Sequence, residues 1–159
     1  MSQSRTLIGG AFTDTYKATT YPGKAELGQV VESEGKFYKF VLIVDGDVAV
    51  NEVLYPAATD GNSMTKDYTG GSGIGANVSG VALGTVDISE APYAWVQVPI
   101  RGTTGTVRSD GSVAAGESII GHTVDGEADT MDAGEEDHVF ATALAADSGD
   151  PVTCPVVFT

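Results

Sequence analysis

The sequence predicts an all-β fold: a small β-barrel or β-sandwich with an extended N-terminal arm and a long glycine-rich loop. Three observations predict it. Short segments rich in β-branched and aromatic residues recur along the chain with turn residues between them. Glycine, 21 of 159 residues, is scattered with no triplet period, as turn punctuation requires and a collagen-like repeat forbids. Helical periodicity is almost absent. A chain of this length forms one domain by default, with residues 1–21 as the arm and 22–159 as the barrel or sandwich core.

The arm is rich in threonine, carries Tyr16 and Tyr21, and has few aliphatic residues. A first strand is expected over residues 27–32. The turn Ser33-Glu34-Gly35 leads into a second over 36–44, whose later half is apolar at both parities and therefore predicts a central strand covered on two faces. Asp45-Gly46-Asp47 is a sharp turn, and residues 48–55 return to β until Pro56 ends them. Residues 57–77 read as a long surface loop centred on the run Gly70-Gly71-Ser72-Gly73-Ile74-Gly75.

Strands follow over 78–88 and 93–98, the second bounded by Pro92 and Pro99. Within 93–98 the odd positions are large and partly polar and the even ones small and aliphatic, which suits a half-buried strand. After a Gly102 to Gly105 turn come a short strand at 106–109, a hairpin turn at Asp110-Gly111 and a strand over 112–120, with a bulge expected at Gly116. Residues 125–137 form an acidic loop. Alanines in 138–146 would permit a helix, but Val139, Ala141 and Ala143 alternate strictly with Phe140, Thr142 and Leu144. The Asp147-Ser-Gly149 turn then predicts a hairpin with 152–158.

Eight basic residues face 22 acidic ones, a formal charge of -14. No lysine or arginine follows Arg108, while eleven carboxylates do. Such a field repels phosphate backbones and anionic lipid headgroups, so nucleic acid and membranes are excluded as expected partners, and basic protein surfaces or cations are favoured. Cys154 stands alone between Val152 and Val156, so no intramolecular disulfide forms and a buried thiol is expected. Residues 1–11 show no apolar run of signal-peptide length, and no stretch approaches the ~20 apolar residues of a membrane-spanning helix. The expectation is a soluble protein made in the cytoplasm.

Catalytic constellations do not emerge. Gly71-Ser-Gly-Ile-Gly-Ala76 meets the loosest dinucleotide fingerprint, yet a polar loop precedes it and a strand follows, so no helix N-terminus would meet a pyrophosphate. No phosphate-cradling Gly-Lys-Ser/Thr and no Gly-x-Ser-x-Gly elbow occurs. His122, His138 and Cys154 lack zinc-ligand spacing and read as turn, surface and core residues. We therefore expect no enzyme, no catalytic residue and no cofactor.

One cation pattern is present. Asp125, Glu127 and Asp129 alternate and Glu136 lies eleven residues after Asp125, matching the first, third, fifth and twelfth ligands of a calcium loop. Thr130 stands where that loop needs glycine and no helix flanks it, so a solvated acidic loop is the stronger reading. Tyr93 and Trp95 invite ligand stacking, but aromatics in β-rich chains more often fill cores and subunit interfaces. Tyr16, Tyr21, Tyr93 and Trp95 are the interface candidates.

The second half of the chain resembles the capsid decoration, or cement, proteins of tailed bacteriophages. The resemblance rests on Gly80-Val-Ala-Leu-Gly-Thr-Val86, on Tyr93-Ala-Trp-Val-Gln-Val98 and on Asp110-Gly-Ser-Val-Ala-Ala-Gly-Glu117 ahead of Gly121. It extends to Ala141-Thr-Ala-Leu-Ala-Ala-Asp-Ser-Gly149 with the final apolar strand, covering roughly the last 80 residues. It implies a non-enzymatic virion protein, made in the host cytoplasm, that sits on the outer capsid surface as a homotrimer and bridges subunits of the major capsid protein. In that setting residues 2–21 would serve as a clamp that adds a strand to a neighbour's sheet edge. The alternative from the residues alone is an extracellular calcium- or glycan-binding β module, with the 125–137 loop and Trp95 as its site.

Overall fold

In the computed structural model, the described residues are 12–17, 25–57, 61–68, 77–121, 124–131, 138–149 and 151–159. The fold is all-β: twelve strands, no α-helix among the described residues, and two sheets. The first sheet contains β1 (Thr15–Tyr16), β2 (Val30–Ser33), β3 (Lys36–Ile43), β4 (Val53–Pro56), β5 (Ser63–Thr65), β6 (Gly80–Ala82) and β7 (Tyr93–Val98). The second contains β8 (Thr104–Arg108), β9 (Ser118–Gly121), β10 (Ala128–Thr130), β11 (Ala141–Ala143) and β12 (Thr153–Phe158).

The first sheet closes on itself. Its order is β1-β7-β6-β4-β5-β3-β2, and β7 pairs a second time with β3, so β3, β5, β4, β6 and β7 form a five-stranded barrel. The closing pairing is the longest of the fold, from Phe37 opposite Val98 to Leu42 opposite Tyr93. β2 and β1 extend the sheet beyond the ring, on the free portions of β3 and β7. The second sheet is antiparallel throughout, in the order β10-β9-β11-β12-β8. Its two edges meet through a single bridge between Ser109 and Ala128.

Period-two alternation sorts side chains between two cores. Val41 and Ile43 of β3, Leu54 of β4, Ala82 of β6, and Ala94 and Val96 of β7 join Met64 inside the barrel. The opposite-facing Val53, Tyr55 and Val81 leave the barrel wall and pack with Val107, Ile119, Ala141, Val156 and Phe158 of the second sheet. β4 thus contributes to both cores, which locks the barrel to the second sheet. The lone thiol of Cys154 is buried in the second core, as its valine neighbours imply.

Several expected elements hold and others change. The 33–35 turn is a two-residue reversal in which Glu34 and Gly35 both adopt left-handed φ, 52° and 74°. β3 is central as expected, β7 has the expected bounds, and β11 and β12 form the expected hairpin. The strand expected over 48–55 shrinks to Val53–Pro56, because Asn51 turns left-handed at φ 68° and the Glu52 carboxylate accepts the Ala49 N–H at 3.0 Å. Val48 keeps only one bridge, to Val86, and the strand expected over 78–88 shortens to Gly80–Ala82.

The 57–77 segment is not wholly a surface loop. Its Ser63–Thr65 portion is β5, which pairs in parallel with β3 and antiparallel with β4 and buries Met64 and Thr65. The glycine run at 70–75 lies outside the described residues. Gly116 makes a left-handed turn at φ 87° instead of a bulge, so the strand expected from 112 begins at Ser118. The acidic segment from 125 contains β10, and β7 is covered on both faces instead of one, with Trp95 and Gln97 both buried.

Candidate binding surfaces

An aromatic layer covers the outer face of the barrel where β7 meets β3. Trp95 is 3% exposed and Phe40 is fully buried, their ring centroids 5.3 Å apart. Phe12 stacks on Tyr38 at 3.9 Å and sets its edge against Trp95 at 5.6 Å, while Tyr16 meets Phe40 edge-on at 5.8 Å. Tyr93 stacks on Phe40 at 6.3 Å. Three interface candidates, Tyr16, Tyr93 and Trp95, are therefore brought together, and Tyr21 lies outside the described residues.

The segment covering Trp95 belongs to the same chain. Thr15 and Tyr16 pair with Ala94 and Tyr93, which lays Phe12 across β7 onto β3. Lys17 anchors the end of this segment to Glu90 at 2.9 Å, between two largely exposed side chains. Burial is the main force raising the hydroxyl pKa of Tyr16 and of Tyr38, with the Asp14 and Glu34 charges adding to it respectively. Phe12, Tyr38 and Phe40 carry as much of this layer as the candidates do. Phe12 gave no sequence signal because the aromatics of the arm, Phe12, Tyr16 and Tyr21, follow no strand alternation in a threonine-rich segment.

The calcium candidates point to separate partners. The Asp125 carboxylate accepts the Tyr68 N–H at 3.4 Å. Glu127 pairs with the Arg108 Nε at 3.3 Å. Asp129, on β10, accepts the Thr130 N–H at 2.6 Å and the Ser112 hydroxyl at 3.2 Å. Glu136 lies outside the described residues, and among those described no three His, Cys, Asp or Glu side chains converge on a cation position.

A charged clasp that the sequence did not announce joins the two sheets. Arg108, at the end of β8, donates through Nη1 to Glu52 at 3.1 Å and through Nε to Glu127. The Glu52 side chain is 6% exposed, and its carboxylate accepts from that guanidinium and from the Ala49 N–H. Its three members are 19 to 75 residues apart and share no spacing motif. A cleft of about 310 Å³ opens at one end of the barrel, walled by Pro56, Met64, Val78, Val98 and Pro99, with Lys39 at its rim. The Lys39 ammonium donates to the Gly61 carbonyl at 2.6 Å.

Burial raises the pKa of the Cys154 thiol, and the Asp147 charge adds to the shift. A thiol so protected is a core group and a poor nucleophile. The arrangement as a whole is that of an all-β module, a closed five-stranded barrel joined to a second five-stranded sheet.

Among solved structures, this fold is similar to the N base of the head fiber gp8.5 of bacteriophage phi29. The TM-score is 0.52 at 16% sequence identity, covering 77% of this chain and 92% of that one. No protein-family model matches the chain. No curated protein matches it either.

Proposed function

We propose that this chain is a non-enzymatic virion structural protein of a tailed bacteriophage, attached to the outer surface of the capsid. It binds the major capsid protein and its own copies as a homotrimer, and it stabilises the shell by bridging neighbouring capsid subunits. The observation that carries this reading is the fold shared with a head fiber base over 92% of that chain's length. The patterns shared with decoration proteins after Gly80 support it from the sequence side.

Physical chemistry is consistent with such a role. Bridging needs a rigid module and adhesive surfaces, and both are obtained without a reactive group. A binding free energy repeated across many copies on a symmetric shell raises the shell's resistance to heat and internal pressure. The charge of -14 discourages contact with the packaged nucleic acid and favours a basic protein surface.

Purified protein mixed with undecorated heads is expected to pellet with them saturably at concentrations of about 1–10 µM and to raise the temperature at which the heads burst. The free protein is expected to sediment at three times the chain mass. Protein that stays in the supernatant at those concentrations would sink the proposal.

A further inference from the structure

Among the described residues, β2 is an edge strand with an unpaired side. It pairs with β3 alone, from Val30 opposite Lys39 to Ser33 opposite Lys36. Just before it, the Phe40 N–H donates to the Gln29 carbonyl at 2.9 Å. Backbone direction alternates along an antiparallel strand, so Gln29, Val31 and Ser33 face β3. Val30 and Glu32 consequently direct their N–H and C=O groups away from the sheet, where no described strand pairs with them.

The side chains on this edge are equally open. Val30 is 55% exposed and Leu27 39%. Glu26, Glu32 and Glu34 are exposed around them. Soluble proteins protect free edges with lysine, proline, a bulge or a covering element. A bulge at Gly28-Gln29 opposite Phe40 precedes β2, but the strand itself, Val-Val-Glu-Ser, has no lysine, proline or bulge, carries only the Glu32 charge and has no covering element among the described residues.

We infer that the β2 edge is a docking site for an extended segment of alternating basic and apolar residues, which adds to the sheet as a further strand. Val30 and Glu32 would each exchange backbone hydrogen bonds with it. An apolar side chain would lie beside Val30, and a cationic one beside Glu32. A second copy of β2 fits poorly. Antiparallel self-pairing about Val31 would set Val30 opposite Glu32 and gather six carboxylates along one seam. The partner is thus a basic segment of another protein. Resting on the function proposed above, we assign it to the capsid shell.

The test is co-sedimentation of the full chain with undecorated heads, comparing the unaltered protein with Val30→Pro, Glu32→Lys and Leu144→Ser. Proline deletes the outward N–H of Val30 and is tolerated on the free side of an edge strand. Glu32→Lys reverses the charge without touching backbone pairing. Leu144→Ser alters an exposed apolar residue beyond β11 in the other sheet. The first two variants are expected to lose about tenfold or more in affinity while their melting temperatures hold, and the third to bind normally.

Should Val30→Pro fail to fold, Glu32→Lys still decides the question. If the unaltered protein pellets and both β2 variants pellet equally well, the edge assignment is wrong and the capsid reading survives. If the unaltered protein does not pellet, the capsid reading falls and the partner assigned here falls with it. If Val30→Pro lowers the mass of the free protein in sedimentation equilibrium, the edge joins copies of this chain, and the inference is overturned in that way.

Discussion

Tyr55 shows how closely single residues are fitted. Its ring is 3% exposed, its hydroxyl is buried without a hydrogen-bond partner, and the Gly121 backbone lies directly against it. A Cβ added at Gly121 would overlap that hydroxyl. Gly121→Ala is therefore expected to cost about 1–3 kcal/mol in urea melts, and adding Tyr55→Phe should recover part of the loss by vacating the space. Burial, followed by the charges near Tyr68 and Asp125, holds the Tyr55 hydroxyl far above the ordinary tyrosine pKa of 10.0. The native state thus keeps this proton where the unfolded chain releases it. That contribution is intact below about pH 10 and is lost as pH rises further. Urea midpoints measured between pH 8 and pH 11 should fall at the alkaline end, and should fall less in Tyr55→Phe.

Among the elements, β1 is the shortest. Two residues pair with β7, two rings rest on the aromatic layer, and one exposed ion pair closes the end, an interaction that contributes little in water. Phe12 keeps solvent from Trp95, the only tryptophan of the chain. Phe12→Ala is expected to shift the tryptophan emission to longer wavelength and to cost about 1–3 kcal/mol, with the far-ultraviolet β signal unchanged. An unshifted spectrum would mean that Phe12 is not the shield. β7 itself was legible in the sequence because six alternating residues stand between two prolines. β5 was not, because three residues show no period and its Ser63 and Thr65 resemble the polar loop around them.

At the scale of the molecule, charge is divided as the chain is divided. Residues 1–103 hold seven cations and eleven carboxylates, whereas residues 104–159, which supply the second sheet, hold Arg108 and eleven carboxylates. That one cation is spent on the clasp between the sheets, leaving the remainder of the second unit uniformly anionic. Association with a basic surface should accordingly weaken as salt rises. Raising sodium chloride from about 50 to 500 mM in the head-binding assay should reduce affinity steeply if the proposed docking is electrostatic.

Local pattern was sufficient for the class of fold, for most strand positions and for the buried thiol. Alternation, turn residues and prolines act over a few neighbours, and those neighbours are adjacent in sequence. Barrel closure is of another kind. Phe37 opposite Val98 joins positions some sixty residues apart, and nothing at either position names the other. The same holds for Phe12 over Trp95 and for Arg108 between Glu52 and Glu127. Even the unpaired side of β2 emerged only with the fold, because a strand becomes an edge through the absence of a neighbour. Strand identity is written in short-range periodicity, while pairing partners, edges and clasps are set by which long-range arrangement buries the most apolar surface and leaves the fewest polar groups unmatched.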